Sequence, residues 1–171
     1  KKFIGVFLAI ILIISQSTLV FADKNGANLN LKCKSAVLMD VTSGKVLYEK
    51  NCHEKLPPAS VTKVMTMLLI CEAVESNKIK LTDEVTVSET ASSMGGSQIF
   101  LEPNETQTVD TLLKGIAVAS ANDACVAMAE YIGGSIEGFV DMMNNKAKEL
   151  GMKDTNFVNT NGLPVDNHYT S

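Results

Sequence analysis

An α/β protein, with two strands first and a helical block after them, is what this 171-residue sequence predicts. Three observations carry that reading. Ser35-Ala-Val-Leu-Met-Asp40 and Lys45-Val-Leu-Tyr-Glu-Lys50 are strand-like runs around a Thr42-Ser43-Gly44 turn. From residue 60 onward the apolar residues recur with a helical period. Capping and breaking residues then divide that region into four helices.

Taken in order, residues 1–22 read as a secretion signal. Lys1 and Lys2 are the basic end, Phe3 to Ile14 the apolar run, and Val20-Phe21-Ala22 a small-residue cleavage site. The apolar run is short for a stable membrane span. Residues 23–34 form a polar leader, and residues 35–171 the folded region. Cys33 and Cys52 flank the hairpin and are expected to face one another across it as a disulfide. A lone hairpin is marginal in water. Its strands therefore call for partners, and the chain reads as the N-terminal part of a longer protein whose C-terminal strands it lacks.

Pro57-Pro58 delivers an extended segment that must turn sharply into a helix over about 60–76. Val64, Leu68 and Cys71 fall at i, i+4 and i+7, with Met65, Met67 and Leu69 broadening the stripe. Residues 77–107 read as irregular, with a short extended piece near Leu81 to Val87, a loop at Ser92-Ser93-Met94-Gly95-Gly96-Ser97, and a turn at Pro103-Asn104. Thr108 caps a helix to about Ala119, Ser120-Ala121-Asn122 breaks it, and Asp123 to Ile132 resumes. A last helix, about Ile136 to Leu150, stops at Gly151. The remaining residues to Ser171 are mostly turns.

Composition narrows the function. A formal net charge of −4, no arginine and no basic run exclude nucleic acid as a natural partner. Cys71 and Cys125 read as small buried hydrophobes on apolar helix faces. No Cys-x-x-Cys or His-Glu-x-x-His occurs, and the two histidines, His53 and His168, have bland surface or turn readings.

The chemistry sits at Pro57-Pro-Ala-Ser-Val-Thr-Lys-Val-Met-Thr66. Ser60 and Lys63, at i and i+3, share a helix face, and an amine that loses its proton in a dry pocket can activate a serine hydroxyl. With 13 serines and 15 lysines, composition alone supplies roughly one Ser-x-x-Lys. The setting carries the reading, since a serine at a buried helix N-terminus lies where developing negative charge is favoured. Ser120-Ala121-Asn122 adds a second hydroxyl and an amide in a break between helices.

With these two motifs the sequence resembles the penicillin-recognising serine enzymes, whose pattern is Ser-x-x-Lys, Ser-x-Asn and Lys-Thr-Gly. Longer strings sharpen the resemblance to exported D-alanyl-D-alanine carboxypeptidases: Pro57 to Thr66, Gly96-Ser-Gln-Ile-Phe-Leu-Glu-Pro103, Ala117-Val-Ala-Ser-Ala-Asn-Asp-Ala124 and Asn159-Thr-Asn-Gly-Leu163. It covers roughly residues 35–171. Asn104 stands where the family usually has glycine, and Lys-Thr-Gly does not occur in the chain. By itself the chain is therefore expected to be a poor catalyst.

The resemblance implies a β-lactamase/transpeptidase-like α/β fold, an antiparallel sheet packed against a mostly helical region. It implies Ser60 as nucleophile, Lys63 as its base, Ser120 as a proton relay, and Asn122 holding Lys63 and the substrate amide. Peptidoglycan stem peptides would lose their terminal D-alanine through an acyl-enzyme, and β-lactams would acylate the same serine. It also implies no cofactor or metal, an extracytoplasmic location at the cell wall or outer membrane face, and membrane association only through a missing C-terminal segment. A class A-like β-lactamase is the nearest alternative. It needs a deacylating glutamate, and Asp154 to Gly162 contains none. A non-catalytic β-lactam sensor or wall-binding relative is the alternative from another class.

Overall fold

A computed structural model describes residues 29–171; the expected secretion signal and the first part of the leader lie outside the described residues. The chain divides into two units, one ending at Cys52 and the other running from His53 to Ser171.

In the first unit, β1 (Ala36–Met39) and β2 (Val46–Lys50) pair antiparallel, Ala36 opposite Lys50 and Leu38 opposite Tyr48, with an irregularity after Leu38. The turn forms because the Asp40 carboxylate accepts from the Ser43 amide at 2.8 Å while Gly44 takes φ +68°. Val37, Leu38, Met39, Val46 and Leu47 are all exposed. Lys50 closes the open end by donating to the carbonyls of Leu31 (2.6 Å) and Cys33 (2.8 Å). The expected disulfide is not formed: Cys33 and Cys52 are both free thiols. The ladder ends at Ala36 and Lys50, and Asn51 turns the chain with φ +46° before Cys52, so the two cysteines lie beyond the paired residues.

In the second unit a 3₁₀ turn (Ala59–Val61) leads into α1 (Thr62–Glu75). Then follow β3 (Glu84–Thr86), the one-turn α2 (Glu89–Ser92), β4 (Thr106–Thr108), α3 (Val109–Ala119), α4 (Asn122–Gly133) and α5 (Ile136–Glu149). Three helices start on a hydroxyl cap. Ser88 accepts from the Ala91 amide, Thr108 from Thr111 and Ser135 from Gly138. β3 lies within the short extended piece expected near Leu81 to Val87, and it pairs antiparallel with β4, which lies in the stretch read as irregular.

The core gathers around α4, whose residues from Asn122 to Ala129 are all buried. Its alanines let α1, α2, α3, α5 and β3 pack against it. Phe139, Ile70, Leu112, Met128 and Met143 fill the space between. At the far end, single bridges join Leu56 to Thr170 and Asn156 to Tyr169, so the segment leading to Ser60 is paired with the last residues of the chain.

One face was misplaced by the sequence reading. Val64 is 61% exposed and Cys71 is exposed, so neither belongs to a buried stripe. The buried face of α1 is Thr62, Lys63, Met65, Thr66, Leu69, Ile70 and Ala73. The hydroxyls and amine on that face are sheltered because residues 160–168 supply them with partners. Cys125 is buried as expected. Among the described residues no helix is long and apolar enough to cross a membrane, and no group of three or more His, Cys, Asp and Glu could hold a metal ion.

Candidate active site

Pro57-Pro58 brings the chain to an abrupt turn. Ala59 takes φ +46°, a left-handed conformation that costs a residue with a side chain roughly 1–3 kcal/mol and persists only when its surroundings enforce it. The turn leaves Ser60 exposed at the entrance of α1 and Lys63, one turn on, buried. Lys63 Nζ lies 3.4 Å from Ser60 Oγ and donates to the Asn161 carbonyl at 2.7 Å.

Burial holds the Lys63 amine below the ordinary lysine range. Cys125, on α4, is the one neighbour that would work against this if ionised. Burial pushes that thiol up to about 12, so it stays neutral and leaves the lysine depressed. Once deprotonated, an amine that spends one N–H on Asn161 has a lone pair to offer the Ser60 hydroxyl.

The turn of residues 159–163 is braced by its own asparagines. Asn159 Oδ1 accepts from the Gly162 amide at 2.7 Å, its Nδ2 donates to the Leu163 carbonyl at 2.8 Å, and Asn161 Oδ1 accepts from the Leu163 amide at 3.0 Å. Gly162 has φ +88°, and a Cβ there would stand 1.8 Å from the Ala59 carbonyl oxygen. Only glycine lets this turn lie against the backbone beside Ser60. Thr66 Oγ1 ties the next turn of α1 to the Thr160 carbonyl at 2.6 Å.

Ser120 ends α3 with φ +57°. Its hydroxyl is buried with no hydrogen-bond partner, so it caps neither helix, and a buried orphan of this kind is rare unless it has work elsewhere. Asn122 opens α4. Its amide N–H donates to the Ser97 carbonyl and its Nδ2 to the Gly95 carbonyl, both at 2.7 Å. The adjoining Asp123 carboxylate, fully buried, accepts from the amides of Ile99, Leu101 and Ala124. The loop before Leu101 is thereby fastened to the start of α4.

Ser60 and Lys63 are thus brought within reach of one another. Ser120 and Asn122 stand at the junction of α3 and α4, both of which pack on α1. The place beside Lys63 expected of Asn122 is taken by the Asn161 carbonyl. Asn161 was visible only as part of the Asn159–Leu163 string, whose paired asparagines before a glycine are the mark of a side-chain-braced turn. An exposed hydroxyl, a buried amine of lowered pKa and a helix N-terminus thus lie together, a set of groups whose chemistry suits acyl transfer.

Comparison with known proteins agrees. The family described as "D-alanyl-D-alanine carboxypeptidase" matches residues 22–171. The chain is 54% identical to D-alanyl-D-alanine carboxypeptidase DacF of Bacillus subtilis over 174 residues, covering 100% of this chain and 45% of that protein. It is 42% identical to DacC of Escherichia coli over 148 residues, covering 83% and 37% respectively. Among solved structures, D-alanyl-D-alanine carboxypeptidase DacD from Francisella tularensis superposes with TM-score 0.83 at 38% identity, over 85% of this chain and 35% of that one. Penicillin-Binding Protein D2 from Listeria monocytogenes in its ampicillin-bound form superposes with TM-score 0.72 at 32% identity, over 84% and 57%. The chain spans less than half the length of these two curated relatives.

Proposed function

This chain belongs to the D-alanyl-D-alanine carboxypeptidase family, and from that premise we propose that the protein it comes from removes the terminal D-alanine of peptidoglycan stem peptides through an acyl-enzyme on Ser60. Its fold is the α/β fold of the penicillin-binding proteins. The observation that carries the proposal is the buried Lys63 amine, depressed in pKa and 3.4 Å from Ser60 Oγ.

Lys63 takes the Ser60 proton as Oγ attacks the carbonyl between the two D-alanines. The oxyanion accepts from the Ser60 amide at the positive end of α1. The Ser120 hydroxyl, having no partner to release, relays the proton to the leaving amine. Asn122 binds the substrate amide. Water then hydrolyses the ester and restores Ser60. A β-lactam acylates the same oxygen, in keeping with the ampicillin-bound relative. Residues 1–22 direct export, which places the substrate outside the cytoplasm, at the cell wall or outer membrane face. Relatives named as carboxypeptidases, and a 154–162 stretch without glutamate, weigh against a class A-like β-lactamase.

Labelling the full-length protein with a fluorescent penicillin, read by intact mass and beside a D-alanine release assay, tests this. One adduct that disappears in Ser60→Ala, with release of D-alanine, is expected. A folded protein that takes no label would sink the proposal, and a stable adduct without D-alanine release would make it a sensor instead.

A further inference from the structure

We propose that His168 is a positioning residue for the nucleophile, acting through Thr62 to hold the turn that carries Ser60. This rests on the reading of Ser60 as the acylated serine.

The residues touching the α1 entrance come from the last dozen of the chain. His168 is buried, and its ring is pinned at both nitrogens. The Val158 amide donates to Nδ1 at 3.0 Å, which leaves Nδ1 without a proton and puts the ring hydrogen on Nε2. Nε2 lies 2.8 Å from Thr62 Oγ1 and therefore donates to it. Phe157 meets the ring edge-on with centroids 5.8 Å apart, fixing its plane. Burial also holds the imidazole pKa below its usual value, which keeps the ring in the neutral form that both bonds require.

Thr62 is two residues past Ser60 and three past the left-handed Ala59. Thr62, Lys63 and Thr66 point the first two turns of α1 at residues 160–168, and each meets a partner there: His168, the Asn161 carbonyl and the Thr160 carbonyl. The Lys63 bond belongs to the base and the Thr66 bond lies a turn further down. The Thr62–His168 bond is the one nearest the nucleophile, and through the Val158 amide it connects that turn to the strand-like segment bridged by Asn156 and Tyr169. Through Thr62 this side chain sets the order of the turn that carries Ser60.

The test follows acylation of full-length protein by saturating penicillin, by intact mass, which separates the rate constant from the apparent dissociation constant. Variants are His168→Ala, His168→Gln, Thr62→Val and the His168→Ala/Thr62→Val pair, with His53→Ala as control and circular dichroism to confirm folding. Glutamine can donate to Thr62 and accept from Val158 with one amide. His168→Ala is expected to lower the rate constant about tenfold with the dissociation constant unchanged, His168→Gln to stay within about threefold of wild type, and the double variant to be no slower than either single one. If His168→Ala does not fold, Thr62→Val is expected to show the same tenfold loss. Rates for His168→Ala within about twofold of wild type, a Gln variant as slow as Ala, or losses that multiply in the pair would overturn this inference alone. A wild-type protein that takes up no penicillin would overturn the reading of Ser60 and this inference with it.

Discussion

The loop of residues 159–168 and the junction of residues 120–122 serve the same helix entrance and are built in opposite ways. In the loop the asparagine side chains brace the turn and the outward-facing groups meet α1. Asn159 and Asn161 hold Gly162 and Leu163, and His168 and the carbonyls of Thr160 and Asn161 hold Thr62, Thr66 and Lys63. At the junction the backbone is held equally well, through Asn122 and Asp123, but the Ser120 hydroxyl is left without a protein partner; the Thr160 hydroxyl in the loop is likewise unpartnered, although its carbonyl holds Thr66. In the proposed mechanism the first side fixes where Ser60 stands. The second leaves the Ser120 hydroxyl uncommitted, and a hydroxyl already held in a strong bond would have to break it before relaying a proton.

The largest effect should come from the second side. Ser120→Ala is expected to cut D-alanine release by about 10²–10³-fold, while stability changes by less than about 0.5 kcal/mol because no hydrogen bond is lost. Denaturant unfolding run beside the activity assay decides it, and a large loss of stability would mean that this hydroxyl is structural after all. On the first side Gly162→Ala should reverse the pattern and destabilise by about 3 kcal/mol, because the new Cβ collides with the Ala59 carbonyl at a left-handed φ. An unchanged denaturation midpoint would break the comparison.

Between the two sides stands Lys63, and pH reads its state. Burial lowers its pKa, and in the proposed mechanism its neutral form is the base. Acylation should therefore rise with pH by about tenfold per unit and then level off below the ordinary value of 10.5. A rate still climbing at that pH would show an amine that its pocket does not perturb. The smallest effect belongs to Cys71. It is exposed, and Cys71→Ala should change stability by less than about 0.5 kcal/mol, measured by the same denaturation.

That last prediction marks where the sequence misled. The helix of residues 62–75, its neighbours and the Thr108 cap were legible from period and capping chemistry. So was the Ser60–Lys63 pair. The side of α1 that faces inward was not: apolar periodicity chose Val64 and Cys71, whereas the fold buries Thr62, Lys63 and Thr66. Polar side chains can be interior only when partners reach them, and these partners come from about a hundred residues downstream. His168 reads as a turn residue for the same reason. The extended piece near Leu81 to Val87 was legible, but its pairing with Thr106–Thr108 was not, because a three-residue polar strand carries no alternation. The hairpin pairing was legible, but not that the ladder stops before Cys33 and Cys52, with a left-handed turn at Asn51 between the strand and Cys52.

The braced turn at Asn161-Gly162 has a consequence for how the protein ages. An asparagine before glycine, found in this sequence at Asn25-Gly26 and Asn161-Gly162, is prone to deamidation, in which the glycine nitrogen attacks the asparagine side-chain carbonyl. In the braced turn that nitrogen is engaged by Asn159 at 2.7 Å, and the amide it would attack is buried and bonded to Leu163. The native fold thus shelters this bond for as long as it persists. Once the chain opens that shelter is lost, and deamidation at Asn161 would change the side chain that accepts from Leu163 in the turn beside Ser60.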